Sequence, residues 1–225
     1  MDKFSKIMND KVIIDIYNKI SGFEDLDKGW AHHDLDHVKN VAKLVESLLI
    51  QLGYEESFIE EAKIAAILHD TGAIEGKKNH AMRSYNFAKK YISDNNIILK
   101  NEDLVLEAIR IHSDGFDSDN IIALTLILSD KLDIKYSRVA KEGYNVKGMK
   151  ELQYIKDILV DIHNKNLKIQ FICDENINKN ELENFYFIKK VFKAIISFSS
   201  KMKLNPQVFF NHDEWNLFNI LLNSN

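Results

Sequence analysis

The strongest regularity in the chain follows Asp34. Val38, Val41, Ala42, Val45, Leu48, Leu49 and Leu52 recur there at steps of three and four residues. That spacing predicts an amphipathic helix opened near Asp34 and ended by Gly53. Ile7, Ile13, Ile16, Tyr17 and Ile20 predict an earlier helix over residues 4–20, closed by Ser21-Gly22. Residues 23–33 form a charged connection with Trp30 as its expected hydrophobic anchor. Further helices are predicted over residues 57–70, 79–93, 101–113 and 120–138. The run IIALTLIL in the last of these is apolar all round, which predicts a buried helix. The stretch KEGYNVKGMK carries two glycines, breaks the pattern and marks a boundary. Beyond it the chain predicts a helix to Asn164, then a strand over 167–173 from the alternation in LKIQFIC. A helix over 180–203, a second strand over 207–211 pairing with the first, and a short closing helix with Trp215 and Leu221 complete the reading. The expected class is mostly α: a helical core over 1–145 and an extension over 146–225 that holds helices and a short β-hairpin.

Composition narrows the setting. With 45% hydrophobic and 28% charged residues in 225, the chain fits a soluble globular protein. A net charge of −4 gives no electrostatic footprint for nucleic acid. The longest run without a charge or Asn, residues 121–129, is too short to span a bilayer, and the charged amphipathic N-terminus does not resemble a signal peptide. One cysteine, Cys173, excludes an internal disulfide, so a reducing, cytoplasmic location is expected. The single proline, Pro206, leaves the preceding helices unbroken.

Candidate chemistry centres on His69 and Asp70. On an ideal wheel His69 lies within about 60° of Phe58, Ala62, Ala65 and Ala66, so it points with the core-facing side. Asp70 follows, and Gly72 is a plausible stop. A buried imidazole and carboxylate need a partner, and a metal ion accepts both. The dipeptide alone is unspecific. It occurs at His33-Asp34, His69-Asp70 and His212-Asp213, and a helix-end histidine beside a capping aspartate explains most such pairs. Other groups add weight. His37 lies at the edge of the apolar stripe of its helix, His80 opens a helix, and His112 ends an apolar face. Asp130 follows the all-apolar run, and its neighbour Lys131 does not face it. Each group alone fits a satisfied helix-end residue; six of them around one helical core are awkward to satisfy separately. Lys77, Lys78 and Arg83 read either as a solvated loop or as a cationic rim for an anion.

The order of these groups is recognisable. H-x-x-x-V (His37 to Val41), ILHD, a lone histidine, a histidine ending a helix, and SDKLD follow one another. The words DLDHVKNVAKLVESLL, AAILHDTG, NHAMRSYNFAKKYI, LEAIRIHSDG and LILSDKLD together resemble the HD-domain metal-dependent phosphohydrolase superfamily. The resemblance implies an all-α fold of at least five core helices around a metal site. It implies His37, His69, Asp70 and Asp130 as ligands, with His80 and His112 matching the extra histidines of members that hold two metals and Asp70 as the bridge. It further implies hydrolysis of a phosphoester of a nucleotide or other small molecule by a metal-activated water at Asp70, using one or two divalent ions (Mn, Fe, Co, Ni, Zn or Mg). Lys77, Arg83 and Lys131 become the cations expected at phosphate, and Asp133 a group that orients a ligand histidine. His33 and Asp34 line the mouth in this reading, against N-capping by Asp34. Ala73 stands where some nucleotidases of the superfamily carry a glutamate, and Glu75 is off register. Two other readings share the resemblance: a di-iron oxygenase with the same ligand order, and a non-catalytic nucleotide-binding module, which six intact candidates disfavour. The extension after Tyr144 fits a substrate lid, a homodimer interface or simple packing. The expected partner is a small phosphoester, with neither nucleic acid polymer nor membrane.

Overall fold

The computed structural model describes residues 2–26 and 31–216. Their Cα packing divides the chain into two compact units, Met1–Phe23 with His33–Asp130, and Glu24–His32 with Lys131–Asn225.

The first unit is helical. The single helix expected over 4–20 is two, α1 (Lys3–Met8) and α2 (Lys11–Leu26). Asp10 makes the break: its carboxylate accepts from Val12 N at 2.8 Å, as a helix-starting residue does, and from Tyr91 Oη at 2.5 Å. Ser21-Gly22 does not end α2, which runs on to Leu26. Trp30 lies outside the described residues.

Helix α3 (Leu35–Gln51) follows, with Asp34 as its N-cap accepting from His37 N at 2.9 Å. The capping role weighed for Asp34 is therefore its observed one. Gly53, at φ 77°, takes the chain out of that helix.

Helix α4 (Glu56–Leu68) is buried over most of its surface. Its one buried carboxylate, Glu61, accepts from Lys100 N, Asn101 N and Asn101 Nδ2 at 2.5–3.0 Å and so satisfies the start of α6 (Glu102–Ile111). Between them lies α5 (His80–Asp94). Asn79 precedes α5 in the left-handed region and makes no side-chain cap. Helix α7 (Ile121–Leu132) ends earlier than the predicted 138, and a 3-10 turn follows at Tyr136–Arg138. The chain is drawn away there by a bridge between Ala31 and Val139 and by His32 N donating to Arg138 O at 3.0 Å. Tyr17, Val38, Val41, Val45, Leu49, Ile64, Leu68, Ile109 and Leu126 fill the core. Burying each such side chain contributes about 1.5–3 kcal/mol relative to exposure.

The second unit carries the sheet. The helix expected up to Asn164 is instead a 3-10 turn at Met149–Tyr154 and a strand, β1 (Ile155–His163). Ile155, Ile158, Leu159 and Ile162 satisfy a helical period, but Ile158, Val160 and Ile162 equally satisfy a period of two. Pairing decides between them. Ile158, Val160 and Ile162 sit opposite Phe171, Ile169 and Leu167 of β2 (Asn166–Cys173), and Asn164 and Lys165, both at positive φ, make the tight turn.

The hairpin is therefore β1 with β2. The second expected strand, β3 (Asn205–Phe210), does pair with β2, but in parallel, Ile169 opposite Val208. A two-residue strand, β4 (Asp213–Glu214), completes the order β1-β2-β3-β4. The helix predicted over 180–203 is split into α8 (Lys179–Glu183) and α9 (Tyr186–Met202) by Phe185, whose extended backbone seats it against Gly148. A Cβ at Gly148 would lie 2.6 Å from Phe185 Cβ, which explains that glycine. Trp215 is not helical. It is buried edge-on to Phe171, Phe192 and Phe210, with Nε1 donating to Glu183 at 2.7 Å. The remainder of the expected closing helix, including Leu221, lies outside the described residues. Among the described residues no helix is long and apolar enough to cross a membrane.

Candidate metal centre

Five helices deliver groups from the first unit to one place. Helix α4 ends at Leu68 and leaves His69 and Asp70 buried at its C-terminus. His37 comes from the first turn of α3, His80 from the start of α5, His112 from the end of α6 and Asp130 from α7. Asp70 lies at the centre and divides its two oxygens. Oδ2 is 3.3 Å from His69 Nε2 and 3.6 Å from His37 Nε2. Oδ1 is 3.3 Å from His80 Nε2 and 3.4 Å from His112 Nε2. Asp130 Oδ1 joins the first group, 3.3 Å from His37 Nε2 and 3.9 Å from His69 Nε2.

Three of the four histidines are held alike. Nδ1 of His69, His80 and His112 lies 2.7–2.8 Å from the carbonyl oxygens of Ala66, Lys77 and Ile109, each three residues earlier. A carbonyl can only accept, so Nδ1 carries a proton, and in the neutral ring Nε2 presents its lone pair to the centre.

This donor set fits a divalent ion, and fits two. Ligand atoms about 2.1 Å from one ion stand about 3.0–3.4 Å apart along the edge of an octahedron or tetrahedron. Most of the separations above fall near that range. His69 Nε2 is fully buried and makes no hydrogen bond among the described residues, a costly state unless something else is bound to it. His37, His69 and Asp70 form one group able to hold an ion, and Asp70, His80 and His112 a second. The His80 and His112 Nε2 atoms lie 2.8 Å apart, which without a cation requires a proton on one of them.

Protonation follows from the crowding. Burial alone would lower His69, but Asp70 and Asp130 more than reverse it and raise His69 to about 10. Burial likewise opposes ionisation of Asp70, yet the charge of His69 and the close imidazoles of His112 and His80 hold it well below the usual carboxylate range. For His80 the Asp70 carboxylate outweighs burial and raises it; for His112 burial prevails and lowers it. In the metal-free protein the raised His69 therefore contributes stability that is complete below 6.5 and is lost as pH climbs through about 10. The depressed Asp70 contributes stability present above 3.8 and lost as pH falls through its lowered value. A metal takes neutral imidazole, so uptake at pH 8 is expected to expel about one proton or more per chain. Calorimetry in two buffers of different ionisation heat measures that number, and uptake without proton release would contradict the protonated His69.

The second ring of residues shows where expectation and structure part. Arg83 was expected at substrate phosphate, but its guanidinium is turned onto its own loop. Nε donates to Gly72 O at 2.8 Å, Nη1 to Lys78 O at 2.6 Å, and Nη2 to the Gly76 carbonyl. It therefore staples the loop whose Lys77 carbonyl orients His80. Arg83→Ala is expected to weaken metal binding at His80 and His112 by about tenfold or more while sparing the His37–His69 position. Chelator competition resolves the two affinities, and unchanged values at both would remove this role.

Lys77 is exposed on the same loop. Lys131 is buried at the end of α7, its Nζ 5.9 Å from the centroid of the Phe187 ring. Asp133 is buried beside Arg138, Oδ2 to Nε 3.7 Å. His33 sits edge-on to His37 with ring centroids 5.9 Å apart. Of the metal-facing side chains, His80 is the most open at 21% exposure, whereas His37 and His69 are fully buried.

Sequence reasoning passed over the orienting carbonyls and the staple. The carbonyls have a signal in the chain, a histidine at a helix end with its own i−3 carbonyl in reach; the staple has none.

Comparison with known proteins agrees with the geometry. Residues 34–135 match the family model of the HD domain. Most of that family are metal-dependent hydrolases. No curated protein matches the chain.

Proposed function

We propose that the chain is a metal-dependent phosphohydrolase that cleaves a phosphoester of a nucleotide or another small molecule. The observation that carries this reading is the division of Asp70, one oxygen toward His37 and His69 and the other toward His80 and His112. When bound, a pair of divalent ions lowers the pKa of water toward neutrality and polarises a phosphoryl oxygen. The residues supply the rest. His37, His69, Asp130 and Asp70 Oδ2 would hold one ion, and His80, His112 and Asp70 Oδ1 would hold a second. The carbonyls of Ala66, Lys77 and Ile109 keep three imidazoles in the tautomer that presents Nε2 inward. Burial of His37 and His69 keeps bulk water from that side, and the more open His80 side admits substrate. This reading assigns Lys77, exposed on the loop that orients His80, to an arriving phosphate.

The test is a panel of nucleotides and simple phosphoesters assayed with Mn, Co, Ni, Zn or Mg, without oxygen. Phosphate release that requires added metal supports the reading. Oxygen consumption with an iron-loaded protein that releases no phosphate would overturn it in favour of an oxygenase.

A further inference from the structure

Arg138 belongs to the second unit and takes no part in the metal centre. It lies in the 3-10 turn Tyr136–Arg138, its backbone fixed by Arg138 N donating to Lys135 O and by Arg138 O accepting from His32 N. Its side chain is more than nine-tenths buried. Two guanidinium nitrogens, Nε and Nη1, are buried and make no hydrogen bond among the described residues. Asp133 Oδ2 is 3.7 Å from Nε, close enough to attract and too far to accept a hydrogen bond. Arginine and carboxylate pairs that serve only to hold a fold close at about 2.7–2.9 Å, often with two parallel bonds. Here the fork stays open. A buried charged donor left unmatched is among the more destabilising features a fold can carry, so its persistence calls for a group that completes it.

We propose that the guanidinium of Arg138 is a phosphate-binding position, with Nε and Nη1 donating to the oxygens of a phosphate or phosphate-monoester group. The planar fork matches that group's geometry. Asp133 selects against the other common oxyanion. Both anions meet Asp133 as like charges, but a carboxylate has no proton to offer it, whereas a phosphate monoester, with its second pKa near about 6, retains a proton in part of its population and can donate it to Asp133. The inference does not depend on hydrolysis at the metal centre.

The test titrates inorganic phosphate by calorimetry into the full chain kept metal-free with chelator, so that phosphate cannot bind through a cation. The expected result is saturable binding of one phosphate per chain. Arg138→Gln is expected to weaken it by about tenfold or more, and Arg138→Lys, which keeps the charge but loses the fork, by about three- to tenfold. Acetate at equal concentration is not expected to compete. Should Arg138→Gln fail to fold, Arg138→Lys carries the comparison, because its charge still balances Asp133. No saturable binding by the unaltered protein, or affinity unchanged in Arg138→Lys, would overturn the proposal, and equal competition by acetate would overturn its assignment to phosphate.

Discussion

Asp70→Ala is expected to empty both metal positions at once, lowering bound metal from two ions per chain to near zero and phosphate release to background. The size of the effect follows from the sharing. Removing His112 alone takes one ligand from one position. Removing Asp70 takes a ligand from each and deletes the negative charge that raises both His69 and His80 in the metal-free chain. The helices do not need Asp70 to form. The core around Val45, Leu49, Ile64 and Leu68 is untouched, and Asp130 still faces His37 and His69. Far-ultraviolet circular dichroism is therefore expected to keep its helical signal while metal analysis falls to background. Metal retained near the original content would mean that the carboxylate does not bridge.

Gly72→Ala is the second change of large expected effect. A Cβ at this position would lie 2.4 Å from His80 O, 2.5 Å from Ser84 N and 2.7 Å from Arg83 Cβ. Two of these are backbone atoms of α5 and cannot rotate aside. Gly72 N also donates to Ser84 Oγ at 2.8 Å, so loop and helix are joined where the methyl would enter. Either the loop or the first turn of α5 must move, and His80 moves with it. Overpacking of this kind costs about 1–3 kcal/mol and occasionally more. In a chain of this size that lowers the melting temperature by about 2–12 °C. Loss of metal affinity at His80 and His112 is expected to accompany it. A thermal melt and chelator competition check both, and an alanine variant with unchanged melting and affinity would show that the loop has room.

Much of the helical core was legible because α3 carries one dominant apolar stripe and the α4 and α7 runs are apolar nearly all round, and the ends of these helices carry His37, His69, Asp70 and Asp130. The misses have physical causes. The pattern over 4–20 continues through Asn9-Asp10, and only the capping chemistry of Asp10 marks the break. Residues 155–163 fit both periods, so the pairing with β2 and the Asn164-Lys165 turn decide what local spacing cannot. Arg83 looked like a rim cation because side-chain direction is not written in the chain; the carbonyls of Gly72, Gly76 and Lys78 converge on it only once the loop is folded. Gly72 looked like a helix stop, and its actual constraint, the closeness of α5, is a tertiary fact.

The central claim is that Asp70 joins two divalent ions, and electron paramagnetic resonance of the Mn(II)-loaded protein tests it most directly. The account predicts two Mn(II) per chain with the spectrum of an exchange-coupled pair, lost in Asp70→Ala. Isolated Mn(II) signals at one ion or fewer per chain, unaffected by removal of Asp70, would contradict it.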